Sequence, residues 1–378
     1  MTARTTVGLN LSWLRPGHVG GTQTYAVRLF EALTRSPQQL CGGQLTFLGI
    51  GSHEALDTVD PTGDGFAERL VQQSNSRVSR IIRERTVLGR SIQRFDPTIM
   101  HHLGGTAPRI GGGRSIVTIH DLQPLEQPEN FSVAKRAFLA QALPRAVQSA
   151  DLIITPSNYV ANRVCERFQL DEHAVSVVPV WAADLPPELA DVEVPEASSP
   201  FVLYPAMTAP HKNHTMLFEA FRRARRHRPD LRLVCTGTSG SLDTTIRRLA
   251  SADPHIEMRG HVDASTLRGL LSTAEAVVYP SRFEGFGLPL IEAQALGTVV
   301  YSSSATCLPE IMGGAGRLID PDDVGGWADA LADPYEGAAL EEEQRRGREN
   351  AKRFNPAATA RKQLAAYERV LGEQTTLQ

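Results

Sequence analysis

The sequence predicts an α/β protein made of two doubly wound domains, in which helices cover both faces of parallel sheets. Short apolar runs alternate with amphipathic, helix-length segments almost throughout the chain. A length of 378 residues suits two domains at roughly 100–200 residues each. The alternation stops at 181–200, a stretch rich in proline and acidic residues that we interpret as a linker, and it restarts at Phe201. We therefore expect one domain over 1–185 and another over 198–355.

Each predicted strand is a run of four to six residues rich in Val, Ile, Leu and Thr. The strands of the first domain are Thr6–Leu11, Leu45–Gly49, Thr98–His101, Ser115–Ile119, Leu152–Thr155 and Ser176–Pro179. Those of the second are Phe201–Tyr204, Leu231–Cys235, Ile256–Arg259, Ala276–Tyr279, Thr298–Ser302 and Gly316–Ile319. The predicted helices between them include Thr22–Leu33, Val133–Ser149, His214–Arg226, Ser265–Ser272 and Pro289–Leu296. A last amphipathic segment, 356–378, has no strand partner, and we expect it to pack back onto the first domain.

Composition excludes several classes of protein. The net charge of −3 carries no basic excess, which argues against a dedicated nucleic-acid binder. With 41% hydrophobic residues the chain is not disordered, and no apolar run approaches the ~18 residues that a membrane span needs. The N-terminus lacks the features of a signal peptide. Four widely spaced cysteines (Cys41, Cys165, Cys235 and Cys307) predict reduced, buried thiols in a cytoplasmic protein.

The loop after strand Ala276–Tyr279 is the most informative segment. It contains Gly285, Phe286, Gly287 and Leu288, and a helix begins near Pro289. Free amides at the positive end of a helix dipole suit a phosphate or a sugar oxygen. Glu284 and Glu292 flank this loop, and their carboxylates can accept hydrogen bonds from sugar and ribose hydroxyls. In the alternative interpretation Glu284 is merely solvated and Glu292 complements the helix dipole.

Segment 277–296 resembles the Glu-x7-Glu motif of the family 4 retaining glycosyltransferases, which have the GT-B architecture. The resemblance extends over nearly the whole chain, in the order that the family requires, and its wording is closest to bacterial mannosyltransferases. The other matching segments are GGTQTYAVRLFEAL (20–33), HDLQP (120–124), ADLIITPSNYV (150–160), YPAMTAPHKNHTMLFEAF (204–221) and GHVDASTLRGLLSTAEAVVYPS (260–281). The resemblance implies two Rossmann-like domains that face each other across a cleft.

The resemblance also implies roles for single residues of the second domain. Glu284 matches the carboxylate that contacts hydroxyls of the donor sugar, and Glu292 matches the one that holds the nucleotide ribose. The amides of Phe286, Gly287 and Leu288 would contact the diphosphate and the sugar. Lys212 matches the diphosphate-binding lysine, a role that suits its point charge.

The second domain departs from the family pattern at one position. The family carries an arginine about six residues before its lysine, as a second diphosphate clamp, and this chain has Ala206 there. His211 is a candidate replacement, or simply a loop histidine beside Lys212. Asn213 is predicted to cap the helix that begins at His214.

Three loops of the first domain are further candidates. Gly20, Gly21 and Thr22 precede or begin a helix, where glycine allows close approach and amides can meet a phosphate. His120 follows a strand; the resemblance places its counterpart beside the 6-hydroxyl and reacting carbon of the donor sugar, although a structural role is the alternative. Asp121 is predicted to be a turn or helix-start residue. The pair His101–His102 also ends a strand and is a candidate for the acceptor side.

Two other segments admit alternative interpretations. The acidic run Asp320–Asp323 has the DxD spacing that binds a divalent metal in another glycosyltransferase class, but after a strand it predicts a turn and a helix cap, and we expect no metal. Arginines alternate with apolar residues over 69–94, which predicts a surface helix. A rim for an anionic or lipid-linked acceptor, or a contact with a membrane surface, is the alternative.

Together these observations predict a metal-independent hexosyltransferase. Its catalytic residues would be His120, Lys212 and Glu284, and its donor a nucleotide diphosphate sugar, with GDP-mannose favoured over UDP-glucose, UDP-N-acetylglucosamine and activated deoxysugars. The acceptor hydroxyl could belong to a polyprenyl-linked glycan, a phospholipid or a small natural product, at the inner face of the membrane if it is lipid-linked. One rival is a non-catalytic nucleotide-sugar binder; another is a nicotinamide-dependent oxidoreductase, which lacks its GxGxxG fingerprint here.

Overall fold

The chain divides into two units, one built on a largely parallel sheet and the other on a fully parallel one. The computed structural model describes residues 4–17, 20–35, 39–40, 43–71, 94–108, 113–182 and 200–372. The first unit combines Met1–Trp181 with Asn355–Gln378, and the second is Ala182–Phe354. Helices connect many of the successive strands in the first unit and all of them in the second, so the predicted α/β fold class is confirmed.

The sheet of the first unit has eight strands among the described residues. They are β1 (Arg4–Asn10), β2 (Gln39–Leu40), β3 (Gly43–Gly51), β4 (Glu68–Val71), β5 (Ile99–His102), β6 (Arg114–Thr118), β7 (Leu152–Thr155) and β8 (Val175–Val177). Their order is β2-β3-β1-β5-β6-β7-β8, with β4 paired to β3, and only the β2–β3 pair is antiparallel. Strand β1 is central, with Val7 opposite both Phe47 and Ile99. Its apolar side chains are fully buried, as expected for a strand covered on both faces.

Helices of the first unit follow its strands along the chain. They are α1 (Gly20–Arg35), α2 (His53–Val59), α3 (Gln123–Glu126), α4 (Val133–Ser149) and α5 (Asn158–Phe168). The C-terminal helix, designated α13 (Pro356–Gly372), packs against α1. Its Thr359 hydroxyl donates to the Pro179 carbonyl at 2.9 Å, and Arg369 donates to the Ser176 hydroxyl at 3.0 Å. The last helix of the sequence therefore belongs to the first unit.

The second unit has a sheet of six parallel strands among its described residues. They are β9 (Phe201–Pro205), β10 (Arg232–Thr236), β11 (Ile256–Gly260), β12 (Ala276–Tyr279), β13 (Val299–Ser303) and β14 (Arg317–Ile319), in the order β11-β10-β9-β12-β13-β14. Strands β9, β12 and β13 are neighbours at the centre, where the strand order reverses. Since the carboxyl ends of parallel strands meet at one edge, the loops after these three strands lie side by side.

Seven helices of the second unit lie among the described residues. They are α6 (His214–Ala224), α7 (Asp243–Ala250), α8 (Ala264–Thr273), α9 (Leu288–Leu296), α10 (Leu308–Met312), α11 (Val324–Ala332) and α12 (Gly337–Ala351). A buried amide pair fixes α9: Asn350 of α12 donates to the Gln294 side chain at 2.7 Å, and Gln294 donates to the Met312 carbonyl at 3.2 Å. Helix α9 is thereby anchored to both α10 and α12.

The structure corrects the prediction of a helix over 69–94 at its start. Residues Glu68–Val71 form strand β4, and Arg69 bonds to Asp57 at 2.7 Å and to Asp60 at 2.9 Å, so this arginine ties β4 to the end of α2. Residues 72–93, on which the acceptor-rim and membrane-contact alternatives depend, lie outside the described residues. No described helix is both long enough and apolar enough to cross a bilayer.

The predicted linker is wrong at its first residue. Trp181 is buried against Ala32 and Ala360, its indole donates to the Arg28 carbonyl at 2.9 Å, and Arg28 donates back to the Trp181 carbonyl at 2.8 Å. Because its ring is buried and its indole N–H and its carbonyl are both bonded to Arg28, Trp181 completes the first unit. Residues 183–199 lie outside the described residues.

Candidate active site

Lys212 is a buried residue of the candidate site whose backbone is bonded to β9. It ends a short 3-10 turn, Pro210–Lys212, which follows β9. The Tyr204 hydroxyl, inside the sheet, donates to the Lys212 carbonyl, and the lysine is only 9% exposed. Burial raises the pKa of Tyr204 well above its ordinary value, so the phenol stays protonated and keeps this bond. The backbone of Lys212 is thus fixed to β9.

The Lys212 ammonium forms an ion pair with the Glu284 carboxylate. Glu284 lies in the loop after β12, so this pair joins the ends of two neighbouring strands. The Tyr279 hydroxyl lies 3.5 Å from Lys212 Nζ, and its ring centroid lies 5.4 Å away. Burial, and then the charge of Glu284, raise the pKa of Tyr279 well above its ordinary value. Two residues predicted separately from sequence are therefore in direct contact, beside a neutral phenol.

The segment Glu284–Leu288, which we call the glycine loop, turns sharply into α9. Gly287 has φ +96°, a conformation that favours glycine, and it directly precedes Leu288, the first residue of α9. A Cβ on Gly287 would lie 2.9 Å from Leu308 Cδ2, so the position also lacks room for a side chain. The Leu290 amide donates to the Gly287 carbonyl at 3.0 Å. Glu292 is half-buried and lies near the middle of α9, about one turn beyond Leu288.

Two residues after β13, Thr306 and Cys307, support this loop, and no motif in the sequence indicates that role. The Glu284 amide donates to the Thr306 hydroxyl at 3.2 Å. Cys307 Sγ lies 3.3 Å from the Glu284 carbonyl and 3.3 Å from the Phe286 carbonyl. Burial raises the pKa of the Cys307 thiol well above its ordinary value, so it remains a protonated donor. The prediction that this cysteine is simply a small buried side chain is therefore incomplete.

Asn213 does not cap α6, contrary to the sequence-based prediction. It adopts a left-handed conformation with φ +62°, and its side chain makes no capping hydrogen bond. The side-chain amide instead donates to the Pro280 carbonyl at 3.2 Å and to the Pro321 carbonyl at 2.6 Å. Asn213 thus connects the loops that follow β9, β12 and β14. The two carbonyls lie just after two different strands, 67 and 108 residues along the chain from Asn213, so no local sequence pattern indicates the contact.

The acidic run Asp320–Asp323 forms the turn and cap that its sequence predicts. The Asp322 amide donates to the Asp320 side chain at 2.8 Å, and Asp323 accepts from the Gly326 amide at 2.9 Å to cap α11. Asp322 also pairs with Arg282 at 2.8 Å. Within the described ranges, no group of three or more His, Cys, Asp or Glu side chains is arranged to hold a metal ion.

The position of the family arginine is tightly enclosed. Ala206 is 8% exposed, and a Cβ on Gly237, which has φ +136°, would lie 2.5 Å from the Ala206 carbonyl oxygen. His211 is half-buried, and its Nδ1 is buried without a partner. Burial, and then the Lys212 charge, lower the pKa of His211 to about 4, so its ring is neutral near pH 7. His211 can therefore offer an N–H group near the lysine but no compensating charge.

The candidate residues of the first unit have defined local partners. His120 Nε2 donates to the Leu103 carbonyl at 2.7 Å, which makes Nδ1 the acceptor nitrogen. Tyr25 packs edge-on against the ring at 4.9 Å, and burial lowers the pKa of His120 to about 4. Asp121 accepts from the Gln123 amide at 2.9 Å, the predicted helix-start role. A neutral His120 is thus held in one tautomer and one orientation.

His101 and His102, the paired candidate histidines of the first unit, are part of its interior. Both ring nitrogens of His101 are occupied, by the Tyr367 hydroxyl at 2.9 Å and the Thr118 hydroxyl at 2.8 Å. The residue is fully buried, so the acceptor-side interpretation of His101 is wrong. His102 is also buried, with its Nδ1 3.1 Å from the Asn10 side-chain amide.

Gly20 and Gly21 form the exposed first turn of α1, which begins two residues before the predicted start. Thr22, the next residue, is half-buried. Lys212, Glu284, Glu292 and Gly285–Leu288 belong to the second unit, whereas His120 and Gly20–Thr22 belong to the first.

Comparisons with known proteins identify the family to which the chain belongs. Residues 199–336 match the family "Glycosyl transferases group 1", and residues 19–181 match "Glycosyltransferase Family 4". The two matches together take in most of both units. The chain belongs to the glycosyltransferases of these families, which confirms the predicted membership.

Similar proteins point to the same class. O-antigen chain mannosyltransferase B from Escherichia coli is 29% identical over 56% of this chain and 58% of its own length. O-antigen chain mannosyltransferase RfbU from Salmonella typhimurium is 27% identical over 57% of this chain and 59% of its own length. The similarity therefore spans less than two thirds of either relative. A glycosyltransferase structure from Rickettsia africae matches 97% of this chain and 99% of its own, with a TM-score of 0.67 at 17% identity, which confirms the GT-B fold.

Proposed function

We propose that this protein transfers a hexose, with retention at the anomeric carbon, from a nucleotide diphosphate sugar to an acceptor hydroxyl. Lys212 and the amides of Gly285–Leu288 bind the diphosphate. Glu284 accepts hydrogen bonds from hydroxyls of the donor sugar, and Glu292 accepts them from the ribose. The site needs no metal ion in this proposal, because a lysine and main-chain donors stabilise the departing negative charge.

The observation that carries the proposal is the contact between Lys212 and Glu284 beside the turn at Gly287. A cation, a set of helix N-terminal amides and a carboxylate lie together at the carboxyl ends of two adjacent strands. This is where open α/β sheets bind nucleotides. A cation suits the diphosphate, and a carboxylate suits the neighbouring hydroxyls.

The reaction in this proposal is a displacement on one face of the sugar. The bond between the anomeric carbon and the diphosphate oxygen breaks, and a bond from the acceptor oxygen to the same carbon forms on the same face. The acceptor proton passes to the departing diphosphate. The protein contributes position and charge stabilisation, and one preorganised donor of this kind contributes about 3–4 kcal/mol to lowering the barrier.

His120 and the Gly20–Thr22 turn complete the proposed machinery by resemblance to the family. His120 would lie beside the reacting carbon and the 6-hydroxyl of the sugar. Its lowered pKa keeps it neutral, so it would accept a hydrogen bond through Nδ1 while Nε2 stays bonded to Leu103. We expect His120→Ala to lower kcat without preventing nucleotide binding.

The favoured donor is GDP-mannose, because the O-antigen relatives are named mannosyltransferases. The acceptor hydroxyl would belong to a lipid-linked glycan, a phospholipid or a small natural product. Because nucleotide sugars are made in the cytoplasm, we place the protein there, at the inner face of the membrane if the acceptor is lipid-linked. The free thiols of Cys165, Cys235 and Cys307 are compatible with this location.

A thermal-shift panel of GDP, UDP, ADP and dTDP tests the nucleotide, because a ligand that binds only the folded state raises the melting temperature. We expect one of the four nucleoside diphosphates to raise the melting temperature clearly. The matching nucleotide sugars are then incubated with the protein, with release of the nucleoside diphosphate as the readout. Magnetic resonance of the product identifies the anomer. An inverted product would overturn retention, and a panel with no shift would overturn the function.

Ala206 favours one alternative, a nucleotide-sugar binder without glycosyl transfer. The family arginine that shares the diphosphate charge is absent at this position. Under this alternative the nucleotide shifts the melting temperature, yet no nucleotide sugar is turned over. A rate above the uncatalysed background with any of the nucleotide sugars tested dismisses it.

A further inference from the structure

The charge of Lys212 is already neutralised inside the folded second unit. Its ammonium donates to the Glu284 carboxylate, and each side chain is only 11% exposed. An incoming diphosphate therefore meets a neutral pair rather than a free cation. Any anion that approaches Nζ also approaches the carboxylate, and at low exposure that repulsion is weakly screened.

We propose that Glu284 competes with the diphosphate for Lys212, so that the site selects nucleotide sugars over sugar-free nucleoside diphosphates. This inference rests on the proposed function. A nucleotide sugar brings hydroxyls that satisfy the carboxylate once it leaves the lysine. The sugar-free product offers no such donors, and its binding leaves a half-buried carboxylate unpaired, which is costly. The pair thereby favours release of the product.

The surroundings of Glu284 restrict the exchange to its side chain. Its amide is bonded to Thr306 and its carbonyl lies at the Cys307 thiol, so the backbone stays in place. On the other side of the pair, the Lys212 carbonyl is bonded to Tyr204. The carboxylate can therefore change partners by rotation of its own side chain, without movement of either loop. The Tyr279 hydroxyl, 3.5 Å from Nζ, remains beside the lysine when the carboxylate leaves.

Calorimetric titration tests the competition. GDP, UDP, ADP and dTDP, together with GDP-mannose, UDP-glucose, ADP-glucose and dTDP-glucose, are titrated into the wild type and into Glu284→Gln. The glutamine keeps the size of the side chain but removes its charge. We expect the nucleoside diphosphate that the wild type binds to bind the variant about tenfold more tightly, while its nucleotide sugar gains little. The preference for the nucleotide sugar should then be largely lost.

Glu219→Gln is the matched control. Glu219 lies on α6, is exposed, and pairs with Arg223 at 3.0 Å, so its substitution makes the same change in net charge away from the site. We expect it to leave both affinities unchanged. If Glu284→Gln and Glu219→Gln gained the same affinity for the nucleoside diphosphate, the change in net charge would explain the effect and the proposal would be overturned. If Glu284→Gln does not fold, Glu284→Ala carries the same expectation for the nucleoside diphosphate.

The outcomes separate this inference from the proposed function. A wild type that binds none of the eight ligands contradicts the function itself. A wild type that binds and transfers, combined with a Glu284→Gln variant that binds nucleoside diphosphate no more tightly, contradicts only the competition. A purely structural ion pair would change both affinities by the same factor, and that result would also overturn the competition.

Discussion

At the scale of single residues, the ion pair of Lys212 carries most of the proposed chemistry. We expect Lys212→Ala to lower kcat by about 10²-fold or more, because a preorganised cation at the leaving group is lost. The variant also leaves the Glu284 carboxylate without its partner, so its melting temperature should fall. Steady-state kinetics at saturating donor measures the effect. Lys352→Ala, which removes the exposed lysine that directly follows α12, is the control and should keep the wild-type rate.

Gly287 allows a second test at this scale. We expect Gly287→Ala to lose about 1–2 kcal/mol of unfolding free energy from its left-handed conformation, and more from contact with Leu308. Nucleotide affinity should fall as well, because the loop amides move. Gly337→Ala is the control, since Gly337 has φ +52° with nothing within 4 Å of the added Cβ. Urea unfolding and nucleotide titration are measured for both variants. A Gly287→Ala variant with wild-type nucleotide affinity would contradict the assignment of the loop amides to nucleotide binding.

The sequence identified residues whose chemistry is local, and it missed partners that only the fold brings together. Glu284, Gly287 and Lys212 stand out because carboxylates, glycines and a lysine follow apolar strands. The contact between Lys212 and Glu284 spans 72 positions, and no periodicity encodes it. Asn213 has the same explanation. Its position before α6 predicts that its side-chain oxygen caps the helix, but the side chain is instead oriented by two carbonyls of distant loops that accept from its Nδ2.

At the scale of elements, the loop after β13 determines the geometry of the loop after β12. Cys307 provides a direct test, because its thiol lies against two carbonyls of the glycine loop. We expect Cys307→Ala to raise KM for the donor by up to about fivefold, the effect of one hydrogen bond worth about 1 kcal/mol.

Cys307→Ser, which keeps a donor, should restore most of that affinity. Cys235→Ala removes a buried thiol from β10 and serves as the control for packing alone. Equal KM values for the alanine and serine variants at position 307 would mean that the thiol acts only by filling space.

The sequence predicted strands most accurately where the strand is buried on both faces of its sheet. Strands such as Leu152–Thr155 and Ala276–Tyr279 are predicted to the residue, because their aliphatic runs have clear ends. Strand β4 was missed, since Glu68–Val71 is half-exposed and depends on pairing with β3. Arg69 of this strand was predicted to lie on a surface helix, whereas in the structure it binds Asp60 at the end of α2.

At the scale of the whole molecule, buried histidines make stability depend on pH. Burial lowers the pKa of His101 to about 3, and that of His102 and of His214 to about 4, from an ordinary 6.5. Below about pH 6.5 the unfolded chain binds protons that the folded chain cannot, so unfolding becomes easier as pH falls towards about 4. Each group contributes up to about 1.4 kcal/mol per pH unit in this range.

Urea unfolding between about pH 7.5 and pH 5 measures this dependence. Both ring nitrogens of His214 lack partners, and the ring packs against Tyr204 and Phe218, so phenylalanine can replace it. We expect His214→Phe to reduce the loss of stability on acidification. A pH slope identical to that of the wild type would show that His214 titrates normally in the folded state.

The architecture as a whole was predictable, because two series of strands and helices separated by a proline-rich stretch admit few arrangements. Trp181 marks the limit of that reasoning. Its place at the start of the apparent linker gives no sign that its indole pairs with Arg28 and packs against the C-terminal helix. Such contacts depend on the folded chain and not on local composition.

Hydrogen–deuterium exchange with and without the nucleoside diphosphate selected by the thermal panel tests the central claim most directly. The account predicts slower exchange in two segments of the second unit, the turn ending at Lys212 and the loop from Glu284 into α9. Protection confined to other segments, with these two unchanged at saturating ligand, would contradict it.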